Sequence, residues 1–175
     1  MNETQVWALG FLAGLLLVAA VMFIRNLKKG NADPQFDERQ MAARNQAYKH
    51  AFFSLLLYCA VCAVLDALEI KWATLTAILF IGIFGSVLLF AVICIIKDAY
   101  EGLNQRRSSS LLIFSVVGAV NLAVFIVNVA DGESLLTDGL LNERILNPCM
   151  AVMFFALAAV WFFKSRTEAK AGESE

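Results

Sequence analysis

Long apolar runs alternate with short charged stretches along this chain. Val6 to Leu27 is the first run, with one charge, Arg25, near its end. Ala51 to Leu68 is the second, uncharged until Asp66, and Trp72 to Ile96 the third, with no charge at all. Leu111 to Ala130 is the fourth, with Asn121 and Asn128 its most polar members. Cys149 to Phe163 is the fifth and shortest, and its helix is expected to begin near Asn147 and Pro148, because proline suits the first helical turn. A helix that crosses a bilayer needs about 20 mostly apolar residues, since the hydrocarbon is about 30 Å thick and each residue rises about 1.5 Å. The runs are continuous and not alternating, so membrane-crossing strands are not expected, and five spans make no standard barrel. The pattern predicts an all-α, polytopic integral membrane protein with five transmembrane helices over 6–27, 51–68, 72–96, 111–130 and 147–163.

Composition agrees. Of the 175 residues, 60% are apolar and 17% charged, against about 45–50% and about 25% in a soluble domain. Mean hydropathy is +0.70 and the net charge is −1. These values exclude a disordered chain, a basic nucleic-acid-binding domain and a small disulfide scaffold. The fourteen basic residues give the direction. One set of alternate segments carries Arg25, Lys28, Lys29, Arg39, Arg44 and Lys49, then Lys97, Arg106 and Arg107, then Lys164, Arg166 and Lys170. The other set carries only Lys71 and Arg144. Basic loops stay in the cytoplasm, so the N-terminus is expected outside and the C-terminus in the cytoplasm of a plasma membrane. The first run follows the acidic Glu3 and is longer than a signal-peptide core, so it reads as a retained span.

The cytoplasmic connection at 33–50 reads as a juxtamembrane helix. Asp33 would cap it, Pro34 would open it, and nothing breaks it before Leu68. Phe36, Met41, Tyr48 and Phe52 would form an interfacial apolar edge, and the basic residues would meet anionic lipid headgroups. The outer loop from Asp131 to Asn147 carries paired leucines punctuated by Gly132 and Gly139, which predicts a short helix in the outer interface. A lid over a cavity is the functional alternative for that loop. No loop is long enough for a soluble domain. The tail over 167–175 is small and polar and is expected to be disordered.

Inside the bilayer the polar residues are informative. Tyr58, Cys59, Cys62 and Asp66 share one stripe of the second span, taking about 100° per residue. Asn121 and Asn128 nearly align on the fourth. A polar cavity between these spans, lined by Tyr58, Cys62, Asp66, Asn121 and Asn128, is one reading; helix-to-helix hydrogen bonds are the other. Gly82, Gly85 and Ser86 permit close contact within or between subunits, so a homo-oligomer is compatible with the sequence. Cys59 and Cys62 form a Cys-x-x-Cys, but it would lie near the midplane, where apolar burial disfavours the thiolate. The single histidine, His50, cannot anchor a His-rich metal site, and no cofactor-binding motif is present.

Two cytoplasmic stretches carry a resemblance. Asp37-Glu38-Arg39-Gln40 precedes the second span, and Asp98-Ala99-Tyr100-Glu101-Gly102-Leu103-Asn104 follows the third. The chain over roughly 36–105 resembles a group of uncharacterised multi-span membrane proteins of Gram-positive bacteria. Those proteins carry an Asp-Glu-Arg-Gln element before one helix and an Asp-Ala-Tyr-x-Gly-Leu-Asn element after another. The resemblance implies no activity; the group's frequent neighbourhood to helix-turn-helix regulators implies a regulatory or stress-related setting. A tight outer hairpin would return both motifs to one face, with Arg39 and Arg44 opposite Asp98 and Glu101, and with Gly102 supplying the left-handed residue that ends the third span. The expected function is a non-enzymatic interaction or regulatory subunit with a protein partner at its cytoplasmic face, here Asp37, Glu38, Arg39, Gln40, Asp98, Tyr100, Gly102 and Asn104. A small transporter or accessory subunit is the alternative, and thiol redox chemistry at Cys59 and Cys62 a distant third. No cofactor, metal or nucleic-acid partner is expected.

Overall fold

The computed structural model describes residues 35–103 and 108–172. Its class is all-α. The helices are α1 (Glu38–Ala67), α2 (Leu75–Ile96), α3 (Ser108–Ala130) and α4 (Leu146–Gly172). Between α3 and α4 lie two short strands, β1 (Leu136–Thr137) and β2 (Leu140–Leu141), and a 3-10 turn at Glu143–Ile145. Each of the four helical stretches is long and apolar enough to cross a membrane. The first expected span, Val6 to Leu27, and the Asp33-Pro34 helix start lie outside the described residues, as does Asn104.

Among the described residues the helix starts at Glu38, after Gln35–Asp37 in non-helical backbone. Asp37 is the cap: its carboxylate accepts from the Gln40 amide at 2.6 Å, and the Gln40 side chain accepts from the Asp37 amide at 3.2 Å. This reciprocal box satisfies two of the donors a helix start leaves open. α1 then runs unbroken for 30 residues, about 45 Å at 1.5 Å per residue. That exceeds the roughly 30 Å of hydrocarbon, so α1 is long enough to project a few turns past it.

Three helices end in the same way. The amides of Ile70, Ala99 and Glu133 reach back to the carbonyls of Leu65, Cys94 and Asn128, while those of Glu69, Asp98 and Gly132 reach Asp66, Ile95 and Val129. This is the paired arrangement of a Schellman cap, which needs one left-handed residue. Gly132 (φ 80) is an ordinary choice; Glu69 (φ 58) and Asp98 (φ 57) are not. The expectation that Gly102 supplies the left-handed residue after the third span is therefore corrected: Asp98 does, and Gly102 is a buried loop residue.

The loop between α3 and α4 also differs from expectation. Instead of an interfacial helix it forms a hairpin, with Leu136 opposite Leu141 and Thr137 opposite Leu140. Asp138 (φ 52) and Gly139 (φ 79) turn it, the Asp-Gly pair that a tight two-residue hairpin favours. The hairpin also binds the α1–α2 link: Thr74 donates to the Leu141 carbonyl at 2.8 Å and Leu141 to that of Trp72 at 3.1 Å. Trp72 and Ala73 thus lie in extended backbone, and α2 starts three residues later than predicted, capped by Thr74. Asn142, 2% exposed, ties this hairpin cap together. Its amide nitrogen donates to the Ser134 carbonyl (2.9 Å) and Thr137 Oγ1 (3.0 Å), and its Oδ1 accepts from Arg144 N (3.0 Å).

Helix packing runs from α1 to α2, from α2 to α4 and from α4 to α3. The core is a cluster of Ala91 and Ile95 of α2, Phe114 of α3, and Leu157 and Ala158 of α4. Outward faces are apolar: Phe52, Phe53, Leu57 and Val64 of α1, Leu112 and Ile126 of α3, and Val152 and Phe163 of α4 are exposed. Apolar surface of that extent suits lipid and not water. Finally, α4 continues as helix through 167–172, where disorder was expected; the Thr-Glu-Ala-Lys-Ala run consists mostly of good helix formers.

Candidate functional site

The two motif segments meet beside the C-terminal end of α2. Gln40, fixed by the capping box and 8% exposed, points its amide nitrogen at the Asp98 carbonyl (2.5 Å) and the Glu101 carbonyl (3.3 Å). One turn later Arg44 donates to the Ala99 carbonyl at 2.9 Å. The Leu103 amide donates to the Gln35 carbonyl at 2.7 Å. The second motif therefore offers backbone carbonyls, and the first supplies donors that satisfy them.

The contact is not the pairing of opposite charges expected from the sequence. The carboxylate of Asp98 pairs with Lys164 of α4 at 2.6 Å, and the Arg44 guanidinium stacks over the Phe36 ring (4.3 Å) and the Phe90 ring (5.6 Å). Tyr48 packs on the other partner of that stack, with its ring centroid 4.4 Å from that of Phe90. Phe36 and Tyr48 thus serve the Arg44 contact as well as any interfacial edge. The Lys164 ammonium also donates to the carbonyls of Ile95 and Ile96 in the last turn of α2, the first of which the Asp98 amide shares. The sequence placed Lys164 in a cytoplasmic tail and gave no reason to join it to Asp98. A cation near a helix C-terminus was the available signal.

Motif residues divide by exposure. Gln40, Ala99 and Gly102 are buried, while Asp37, Glu38 and Arg39 are exposed. Tyr100 lies between α3 and α4, with its ring 5.6 Å from Phe114 and 5.9 Å from Trp161, both edge-on. Burial pushes its phenol above the ordinary value, and the adjacent Glu101 carboxylate adds to the rise. Glu101 accepts a hydrogen bond from Ser110 Oγ through Oε1, while its Oε2 is buried without a hydrogen-bond partner among the described residues. Asp98, Tyr100, Glu101, Trp161 and Lys164 line a small pocket of about 70 Å³.

The intramembrane set is brought together only in part. Tyr58 donates to the Ile78 carbonyl of α2 at 2.8 Å and lies across Gly82; Cys62 is one turn further along α1. Asp66 and Cys59 are exposed. Asn121 of α3 donates to the Val117 carbonyl of its own helix at 2.8 Å, and Asn128 lies on the same helix, whose main packing is with α4. These contacts are of the hydrogen-bonding and packing kind. All four cysteines are free thiols, and no cluster of three or more metal-ligating side chains occurs among the described residues.

The class these features define is a helical bundle with the lengths and apolar surface of membrane spans. No protein-family model, no curated protein and no solved structure matches the chain.

Proposed function

We propose that this chain is a five-span protein of the bacterial plasma membrane, N-terminus outside and C-terminus cytoplasmic, that works as a non-enzymatic interaction or regulatory subunit. Its partner docks on the cytoplasmic face built by 33–50 and 97–107. The observation that carries this reading is the split in the Asp37-Glu38-Arg39-Gln40 element. Gln40 holds the bundle together, while Glu38 and Arg39, fixed on the same rigid turn, face outward. Charged side chains set out on a rigid turn suit recognition of a partner. The resemblance to Gram-positive membrane proteins carrying both motifs supports the same face.

The experiment is affinity capture from mild detergent using the full chain and Arg39→Glu. Arg39 makes no clasp contact described above, and an acidic residue in the first helical turn is favourable, so folding is expected to be unchanged. Loss of a specific captured protein with unchanged melting supports the docking face. Capture of the same proteins by both forms would overturn it. A C-terminal reporter that is active only in the cytoplasm tests the direction.

A further inference from the structure

Arg44 carries a positive charge that the fold holds in place and does not neutralise. One guanidinium nitrogen, Nη1, donates to the Ala99 carbonyl at 2.9 Å. The rings of Phe36 and Phe90 lie 4.3 Å and 5.6 Å from the guanidinium carbon, so two aromatic contacts hold the group as well as a hydrogen bond. Nε and Nη2 donate to no described residue. The buried side-chain nitrogen or oxygen without a hydrogen-bond partner among the described residues is Glu101 Oε2. The two unbonded nitrogens of half-buried Arg44 are therefore open to the surroundings. No carboxylate of the described residues pairs with Arg44: Asp98 is held by Lys164, and Glu101 accepts from Ser110. Its neighbours one turn away on α1 are Gln40, Met41, Ala47 and Tyr48, none of them acidic. Nε and Nη2 form one two-pronged edge of a guanidinium, the fork that an oxyanion accepts with two parallel bonds. Geometry and charge together call for an anion at that edge.

Depth identifies its source. α2 has 22 residues, about 33 Å of helix, which fills the hydrocarbon layer of about 30 Å. Ala99, just past the end of α2, then falls in the headgroup layer, and its bond to Arg44 holds the guanidinium at that level. Exposed Tyr48, packed on Phe90 at 4.4 Å, is an aromatic of the type that prefers this layer. The anions there are lipid phosphates.

We infer that Arg44 binds the phosphate of an anionic phospholipid headgroup through Nε and Nη2, while Nη1 keeps its bond to Ala99. The inference rests on the membrane reading but needs no protein partner. The test uses purified full-length chain and lipid alone, so its failure leaves the docking face standing.

The probe is phosphatidylglycerol, set against phosphatidylcholine with the same acyl chains. Retained lipid is read by native mass spectrometry from mild detergent. The phosphate of phosphatidylcholine carries its own cation, so the wild type is expected to retain phosphatidylglycerol about tenfold better, the worth of one charge-assisted hydrogen bond. Equal retention of the two lipids by wild type, a measurement that needs no variant, would overturn the proposal. Arg44→Lys keeps the charge and a donor for Ala99 but has no two-pronged edge, and most of the preference is expected to be lost. A full preference in Arg44→Lys would mean that diffuse positive charge selects the lipid, and would overturn the site. Inorganic phosphate at matched ionic strength is expected to leave the lipid preference unchanged. Displacement of phosphatidylglycerol by inorganic phosphate would assign the edge to a soluble anion and overturn the lipid assignment.

Discussion

The Lys164 ammonium lies 2.6 Å from the carboxylate of Asp98, the left-handed residue that ends α2. A non-glycine residue in that region costs about 1–2 kcal/mol, and the ion pair together with the two carbonyl contacts of Lys164 offsets it. Lys164→Met is expected to lower stability by about 1–3 kcal/mol, since it loses charge-assisted bonds to Ile95 and Ile96 as well as the ion pair. Asp98→Asn, which tolerates the left-handed backbone, should cost less. Denaturant titration of both single variants and the double variant in detergent checks this. The expected coupling is about 0.5–2 kcal/mol, and strictly additive losses would show that the pair is idle.

Gln40 does two jobs with two ends of one amide, and they can be separated. Gln40→Glu keeps an oxygen for the Asp37 amide but turns a carboxylate toward the carbonyls of Asp98 and Glu101. Gln40→Ala loses both contacts and leaves carbonyls unpaired. Both should destabilise by about 1–3 kcal/mol, with Gln40→Glu the worse because its charge meets acceptors. A melting series of the two variants decides it. A milder Gln40→Glu would mean that the capping box, and not the clasp, matters more.

The helices were legible because hydrophobic length decides them: each predicted span finds its helix wherever the structure describes the chain, with limits shifted by a few residues. The Asp37-Gln40 box was visible as a motif but not as a cap, since Asp33-Pro34 offered a stronger local start. The hairpin was legible in principle from Asp138-Gly139 and was missed, because the flanking leucines come in pairs that imitate an amphipathic helix. The left-handed residue was assigned to Gly102 on intrinsic preference; tertiary contacts to Lys164 and Gln40 hold Asp98 there instead. No local signal carries a contact between residues 98 and 164. Nor could periodicity show that α1 and α3 make their main contacts with different helices, which leaves Tyr58 and Asn121 with separate partners.

Gly82 and Gly85 are expected to respond in opposite ways to alanine. A Cβ at Gly82 would sit 2.6 Å from two Tyr58 ring atoms and 3.3 Å from Leu55. The ring must move and loosen its bond to the Ile78 carbonyl, so Gly82→Ala should cost about 1–3 kcal/mol. A Cβ at Gly85 meets nothing within 4 Å, and alanine is the better helix former by about 1 kcal/mol, so Gly85→Ala should be neutral or stabilising. Unfolding in detergent tests both. A strong loss at Gly85 would show that another helix, from this chain or a second copy, needs that surface.

Tyr100 predicts an alkaline weakness. Its phenol is raised in the folded chain, first by burial and then by Glu101. Above an unfolded value of about 10 the unfolded phenol has lost its proton while the folded one keeps it. The folded state then holds more protons, and stability falls as pH rises through that window. The contribution is complete below about pH 9. Tyr100→Phe should therefore melt with a shallower alkaline slope than wild type, and Glu101→Gln should lie between them. Parallel slopes in all three proteins from about pH 9 to 11 would place the alkaline transition elsewhere.

The hairpin cap depends on one buried amide. Asn142 is 2% exposed and uses both ends of its side chain, on Ser134, Thr137 and Arg144. Asn142→Leu has a similar volume but leaves three polar groups without partners, at about 1–3 kcal/mol for each that stays buried. Water can reach some of them once the cap loosens, so a total of about 2–4 kcal/mol is expected. Gly139→Ala strains the left-handed turn position at φ 79 and should cost about 1–2 kcal/mol. Both losses should act locally. Amide exchange is expected to rise at Leu141 and Thr74, whose bonds join the hairpin to the α1–α2 link, while the Gln40–Asp98 contact at the far end of α2 keeps its protection. Equal acceleration at both ends would mean that the two caps open as one cooperative unit.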